Sequence, residues 1–165
     1  MSTKSLADRL VKLLAKQNKT IATCESCTGG LVAGAITSIS GSSVVFEQGF
    51  VSYSNAAKTS MVGVPEYLIA SHGAVSIEVA ASMAEGARKV AGSSLAISLT
   101  GIAGPTGGSD EKPVGMVCFG LSFIDPEREP ITYAQIKQFG NIGREKVRRA
   151  SVDFALNWAI QILKT

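Results

Sequence analysis

Leu6, Leu10, Leu13 and Leu14 recur at helical spacing, with Lys4, Asp8, Lys12 and Lys16 on the opposite side, which predicts an amphipathic helix over Ser5 to Lys16. The pattern then changes period. Thr20 to Cys24 is short and partly β-branched, whereas Gly29 to Ile39 alternates small and aliphatic residues at helical spacing, so a strand, a turn and a helix are expected. Val44 to Tyr53 is rich in Val, Phe and Tyr and reads as a strand, with Gly49 marking a bulge or a close approach. Asn55 can cap a short helix, Ala56 to Met61, that carries Lys58. Pro65 suits the first turn of another short helix ending near His72-Gly73, and Ser76 caps a longer one, Ile77 to Ala91, with Glu78 in its first turn.

Ser94 to Leu99 is an apolar strand with both faces buried. Val114 to Phe123 and Ile131 to Phe139 are two further strands around the turn Asp125-Pro126-Glu127, and a helix from Arg144 to Leu163 closes the pattern. Helices interleaved with strands, followed by a strand pair, predict an α/β layered domain with a mixed sheet.

Composition narrows the class. A chain of 165 residues, 45% apolar and 18% charged, fits one globular domain spanning 1–165 with a sizeable core. The 17 glycines, roughly a tenth of the chain against a typical ~7%, sit mostly in clusters, which points to loops whose backbone contacts something. No apolar run approaches a membrane span of about 20 residues, and three cysteines give no disulfide framework, so a soluble, cytoplasmic protein is expected, with no membrane partner. A net charge of +3 is too weak to imply nucleic acid. A homo-oligomer is the expected arrangement for a small enzyme of this kind.

Two hydroxyl-rich, glycine-flanked turns carry the chemistry: Thr23-Cys24-Glu25-Ser26-Cys27-Thr28-Gly29-Gly30 and Ser98-Leu99-Thr100-Gly101-Ile102-Ala103-Gly104-Pro105. Each follows an apolar run, and a strand that ends in Ser, Thr and Gly before a helix gathers hydroxyls and free N–H groups at a sheet edge, where anions and reacting carbonyls bind. Ser26 could attack a carbonyl there while N–H groups of Thr28, Gly29 or Gly30 hold the oxyanion. On local sequence the same position more readily suits Ser26 and Thr28 as helix N-caps. A serine nucleophile needs a base. The single histidine, His72, has the setting of a helix end, so a Ser-His-Asp triad has little support. Lys58 can serve if apolar surroundings lower its proton affinity, with Tyr53 as a relay; otherwise it is a solvated helix lysine.

Other readings compete for these residues. Cys24-Glu25-Ser26-Cys27 is a C-x-x-C at a strand-to-helix turn, and a redox role would require a thiol titrating well below ~8.5. The cysteines and His72 lack the paired spacing of a zinc site, so no metal is expected. The turn from Gly101 to Ser109 is neither a Walker A loop nor G-x-G-x-x-G. Its Gly101 and Gly104 can still wrap a ribose or phosphate monoester, with Thr100 as a hydroxyl donor at the rim. Arg144 and Arg148, four apart near a helix N-terminus, form a possible phosphate clamp, whereas Lys146 and Arg149 read as a solvated face.

Taken together, Ala22 to Gly30, Gly41-Ser42-Ser43, Gly49 to Lys58, His72 to Ser76, Thr100 to Pro105 and Lys112-Pro113-Val114-Gly115 resemble the CinA C-terminal domain family over nearly the whole chain. The resemblance implies a three-layer α/β/α fold with a mixed, mainly parallel sheet, as a single domain without the separate N-terminal domain of larger CinA proteins. It implies a nicotinamide-nucleotide amidase, converting nicotinamide mononucleotide to nicotinic acid mononucleotide and ammonia in pyridine-nucleotide salvage without cofactor or metal. In that family pattern Ser26 is the nucleophile, Lys58 the general base and Tyr53 close to both. Thr28 and Thr100 line the pocket, and Arg144 or Arg148 takes the phosphate. Cys24 departs from the Ala of many relatives. The alternative is a non-catalytic nucleotide-binding or assembly module linked to competence or damage responses.

Overall fold

A computed structural model describes all residues, 1–165. Six α-helices, α1 (Thr3–Lys16), α2 (Leu31–Thr37), α3 (Asn55–Val62), α4 (Glu66–His72), α5 (Ile77–Ala91) and α6 (Arg144–Lys164), accompany five strands. The strands are β1 (Ile21–Glu25), β2 (Phe46–Val51), β3 (Leu95–Gly101), β4 (Met116–Phe123) and β5 (Ile131–Gln138), in the spatial order β2-β1-β3-β4-β5. β1 pairs parallel with β2 and β3, while β4 runs antiparallel to both β3 and β5. Four strands therefore share one direction and only β4 opposes them, the mixed, mainly parallel sheet expected.

Strand periodicity sorts the core into two layers. Ile97 and Leu99 of β3 and Val117, Phe119 and Leu121 of β4 point to α1, α2 and α6, where they join Leu10, Leu14, Ile36 and Leu156 in the larger apolar cluster. Ala22, Cys24 and Ala96 face the other way and pack against Val79 and Met83 of α5, with Val62 of α3 and Ile69 of α4 alongside. The α5 side is lined with small residues because the helix lies close. A Cβ on Gly120 would stand 2.1 Å from the Ala80 carbonyl oxygen, and one on Gly86 only 1.9 Å from that of Val62.

Several boundaries differ from the sequence expectation, and two of them shape the site. A 3₁₀ turn, Ser42–Val44, precedes β2, which ends at Val51 and leaves Ser52 and Tyr53 outside the ladder. Ser54, rather than Asn55, caps α3, its Oγ accepting from the Ala57 N–H at 3.0 Å. Pro65 stands at the N-cap of α4 instead of inside its first turn, and β3 runs on to Gly101. The register slips between Ile21 and Ala22, opposite Phe46 and Gln48, so the extra residue is Glu47. Gly49 is the close approach, since a Cβ there would meet Thr23 Oγ1 at 3.1 Å and the Ala33 Cβ at 3.3 Å. Ser76 caps α5 as expected, accepting from the Val79 N–H at 3.2 Å.

Candidate active site

The C-terminal ends of β1 and β3 deliver both glycine-flanked turns to one edge of the sheet, beside the start of α3. Between them lies a cleft of about 220 Å³ whose walls include Ser26, Tyr53, Lys58, Thr100, Gly101 and Arg144. Larger concavities elsewhere on the surface contain no buried serine, threonine or lysine.

Lys58 is the least ordinary member. It projects from α3 into the interior, 1% exposed, with no carboxylate in ion-pair reach. Its Nζ donates toward Ser26 Oγ at 3.2 Å, the Ser52 carbonyl at 3.1 Å and the Tyr53 carbonyl at 3.3 Å. The two carbonyls are available because β2 has already ended. They can only accept, so two of the amine's positions face them and the third faces Ser26. Burial pulls the Lys58 ammonium below its ordinary value, and the neighbouring Cys24 and Cys27 sulfurs oppose that shift. The opposition is weak at neutral pH because burial pushes the Cys24 thiol up to about 11 and the Cys27 thiol up to about 12, keeping both uncharged. This corrects the redox alternative, which needs a thiol with a lowered value. Lys58 is likewise not the solvated lysine that its helix allowed.

Ser26 is itself 8% exposed, anchored through its N–H to the Leu99 carbonyl at 2.9 Å, with its Oγ 3.5 Å from the Tyr53 carbonyl. Neither Ser26 nor Thr28 caps α2. Gly30, at φ 102°, holds the N-cap position, and the helix donors Val32 N–H and Ala33 N–H go to the Glu25 carboxylate at 2.8 and 3.1 Å. Ser26 is thereby left free of a capping role. Of the three residues whose N–H groups were expected around an oxyanion, none is part of the cleft wall; the Gly29 N–H is taken by the Ser26 carbonyl at 3.0 Å, and those of Thr28 and Gly30 have no main-chain partner.

The remaining expected residues divide. Thr28 does not line the cleft; it is fully buried and donates to Glu25 Oε1 at 2.6 Å. Thr100 does line it, its Oγ1 bonded to the Ala74 carbonyl at 2.8 Å. Arg144 reaches the rim, donating to the Gly104 carbonyl at 2.9 Å and to the exposed Tyr53 hydroxyl at 3.3 Å, so Tyr53 meets Ser26 and Lys58 only through its main-chain carbonyl and its phenol is not the expected relay. Arg148, the other half of the expected clamp, is turned to the Cys27 and Thr28 carbonyls at 3.1 and 3.3 Å and is not part of the cleft wall. One helical turn of α6 carries its guanidinium past the opening. His72 ends α4 beside Glu78, 3.6 Å away, and takes no part.

Two residues were not picked out from sequence. Asn55 lines the cleft one helical turn before Lys58, a placement signalled by their i, i+3 spacing once Ser54 is recognised as the cap. Glu25 is the second: it lies six residues before the first residue of α2, outside any local capping pattern, and meets the helix donors only through the fold of the loop.

The CinA C-terminal domain model matches residues 3–163. The chain belongs to the CinA C-terminal domain family. It is 48% identical over 151 residues to the nicotinamide-nucleotide amidohydrolase PncC of Escherichia coli, covering 92% of this chain and 88% of that one. It is 50% identical over 159 residues to a CinA-like protein of Citrifermentans bemidjiense, covering 96% of this chain but only 37% of the relative's length. Among solved CinA structures, the competence/damage inducible protein CihA of Agrobacterium tumefaciens superposes with a TM-score of 0.90 at 40% identity over 99% of this chain and 96% of that one. A CinA superfamily protein from Klebsiella pneumoniae gives 0.91 at 30% identity, with 99% of each chain covered.

Proposed function

We propose that this chain is a nicotinamide-nucleotide amidase that works through a Ser26–Lys58 dyad. The observation carrying the proposal is the 3.2 Å approach of Lys58 Nζ to Ser26 Oγ by a lysine that is buried and without a counter-ion. As a neutral amine Lys58 keeps two N–H bonds to the Ser52 and Tyr53 carbonyls and turns its lone pair on the serine hydroxyl. The likeness to a protein named for nicotinamide-nucleotide hydrolysis, over nearly the full length of both chains, supports the substrate class.

The dyad supports the following sequence of steps. Ser26 Oγ attacks the carboxamide carbon as Lys58 takes its proton, and the oxyanion needs N–H donors from the Ser26 loop, where those of Thr28 and Gly30 have no main-chain partner, each such donor contributing about 3 kcal/mol. Lys58 returns the proton to the departing nitrogen, releasing ammonia and leaving an ester on Ser26. Water, deprotonated by Lys58, then attacks that ester, giving the carboxylic acid and free Ser26. The pyridine carboxamide occupies the cleft, Thr100 and Asn55 face the sugar, and Arg144 at the start of α6 receives the phosphate.

A binding module has no use for a buried lysine without a counter-ion, so Lys58 favours catalysis over the non-catalytic alternative. Mass spectrometry of protein quenched during turnover tests the proposal. The peptide containing Ser26 should carry the acyl group of nicotinic acid mononucleotide, and turnover without any such adduct, even in slowed variants, would contradict a covalent route.

A further inference from the structure

The loop from Ser26 to Gly30 is short, carries positive φ at Gly29 (57°) and Gly30 (102°), and lies between two charged side chains of opposite sign. From below, the Glu25 carboxylate, 1% exposed, accepts from the Thr28 hydroxyl at 2.6 Å and from the first-turn N–H groups of α2 at 2.8 and 3.1 Å. From the α6 side, Arg148 donates through Nε to the Cys27 carbonyl at 3.1 Å and through Nη2 to the Thr28 carbonyl at 3.3 Å. It also lies over Gly29, where a Cβ would come within 3.5 Å of Nη2. Neither charge is paired with an opposite side-chain charge. Each is held by polar groups of this loop or of the helix it opens.

We propose that Glu25 and Arg148 are positioning residues, a clamp of opposite charges that fixes the Ser26 loop by gripping its donors from one side and its carbonyls from the other. The inference rests on the reading of Ser26 as nucleophile. Charge-assisted hydrogen bonds are the stronger kind, and an acid at a helix N-terminus is further favoured by the helix dipole. The carbonyls of Cys27 and Thr28, once held by Arg148, fix the rotation of the adjoining peptides and so the direction in which the Thr28 N–H points. A misplacement of about 1 Å at a reacting centre can lower turnover about 10²-fold, so the clamp acts on kcat without touching substrate. Arg148 therefore has a role different from that of Arg144 four residues earlier.

The test is steady-state kinetics on nicotinamide mononucleotide and on nicotinamide riboside, which lacks the phosphate, at a temperature where circular dichroism shows every variant folded. Arg148→Met and Glu25→Gln are expected to lower kcat at least about tenfold on both substrates with KM within about threefold, and Arg148→Lys to recover part of the loss. Thr28→Val should lower kcat in the same way, and Thr28→Ser, which restores the hydroxyl, should recover most of it. Should Glu25→Gln fail to fold, the Thr28 pair reports on that side of the clamp. Wild-type kcat in folded Arg148→Met and Thr28→Val overturns the clamp, as does an Arg148→Met effect confined to KM for the phosphorylated substrate. Ser26→Ala run alongside separates the two levels: if it is inactive while the clamp variants turn over normally, only the clamp fails, and if it remains active the nucleophile reading fails and the clamp's role with it.

Discussion

Lys58 Nζ lies 3.2 Å from Ser26 Oγ, and its other acceptors are the main-chain carbonyls of Ser52 and Tyr53. A lysine placed this way has two uses for its third position, donating as an ammonium or accepting as an amine, and burial shifts the balance toward the amine. Rate should therefore rise with pH along a limb that reports Lys58, centred below the 10.5 of a free lysine. A kcat/KM profile measures it. Lys58→Ala should lose at least about 10²-fold at every pH and show no such limb, whereas a retained limb would assign it to another group.

Removing this charge should also stabilise the fold. Lys58 is fully buried without a counter-ion, and Lys58→Met substitutes an apolar chain of similar length in the same space. The thermal midpoint at pH 7 should rise by a few degrees while activity disappears. A lower midpoint would mean that the carbonyl bonds of Lys58 outweigh the burial of its charge.

Stability against pH has two opposing contributions. The folded value of Lys58 lies below its unfolded 10.5, so the folded state binds fewer protons between the two and stability rises with pH through that window. The buried thiols act the other way. Cys24 and Cys118 are raised by burial from 9.0 to about 11 and Cys27 to about 12, so from pH 9 upward the unfolded chain loses protons that the folded chain keeps. With three thiols against one lysine, the urea midpoint should decline from about pH 9, and Cys118→Ala, at a position outside the cleft wall, should flatten that decline. An unchanged slope would show that the thiols are not its source.

Arg144 is expected to recognise phosphate from the rim. Arg144→Gln should raise KM for nicotinamide mononucleotide about tenfold or more and leave KM for the riboside within about threefold. Equal losses on both substrates would instead make its bonds to the Gly104 carbonyl and the Tyr53 hydroxyl the important ones.

Close packing of α5 gives a prediction remote from the site. Gly86→Ala would drive a methyl to 1.9 Å from the Val62 carbonyl oxygen, which lies on the same helix as Lys58. It should destabilise the protein by about 1–3 kcal/mol in urea unfolding, the usual cost of overpacking. A smaller change would mean that α3 shifts freely on α5.

Much of this architecture was legible in the sequence, and the reasons are local. Ser76 followed by an amphipathic run marked α5 to the residue, and Ser26, Tyr53, Lys58, Thr100 and Arg144 do meet in one cleft. What sequence left open depended on spatial facts. The choice between Arg144 and Arg148 turned on the rotation of α6, and the capping of α2 by Glu25, across five residues of loop, has no local rule. The burial of Lys58 required knowing that β2 stops at Val51 and leaves two carbonyls pointing inward.

The most direct measurement is ammonia release from nicotinamide mononucleotide by the purified protein and by Ser26→Ala, with chelator present and no metal added. Release by the wild type and a loss of at least about 10²-fold in Ser26→Ala, with the fold retained, is the predicted result. Release that persists in Ser26→Ala, or none from folded wild type, would contradict the dyad at the centre of this account.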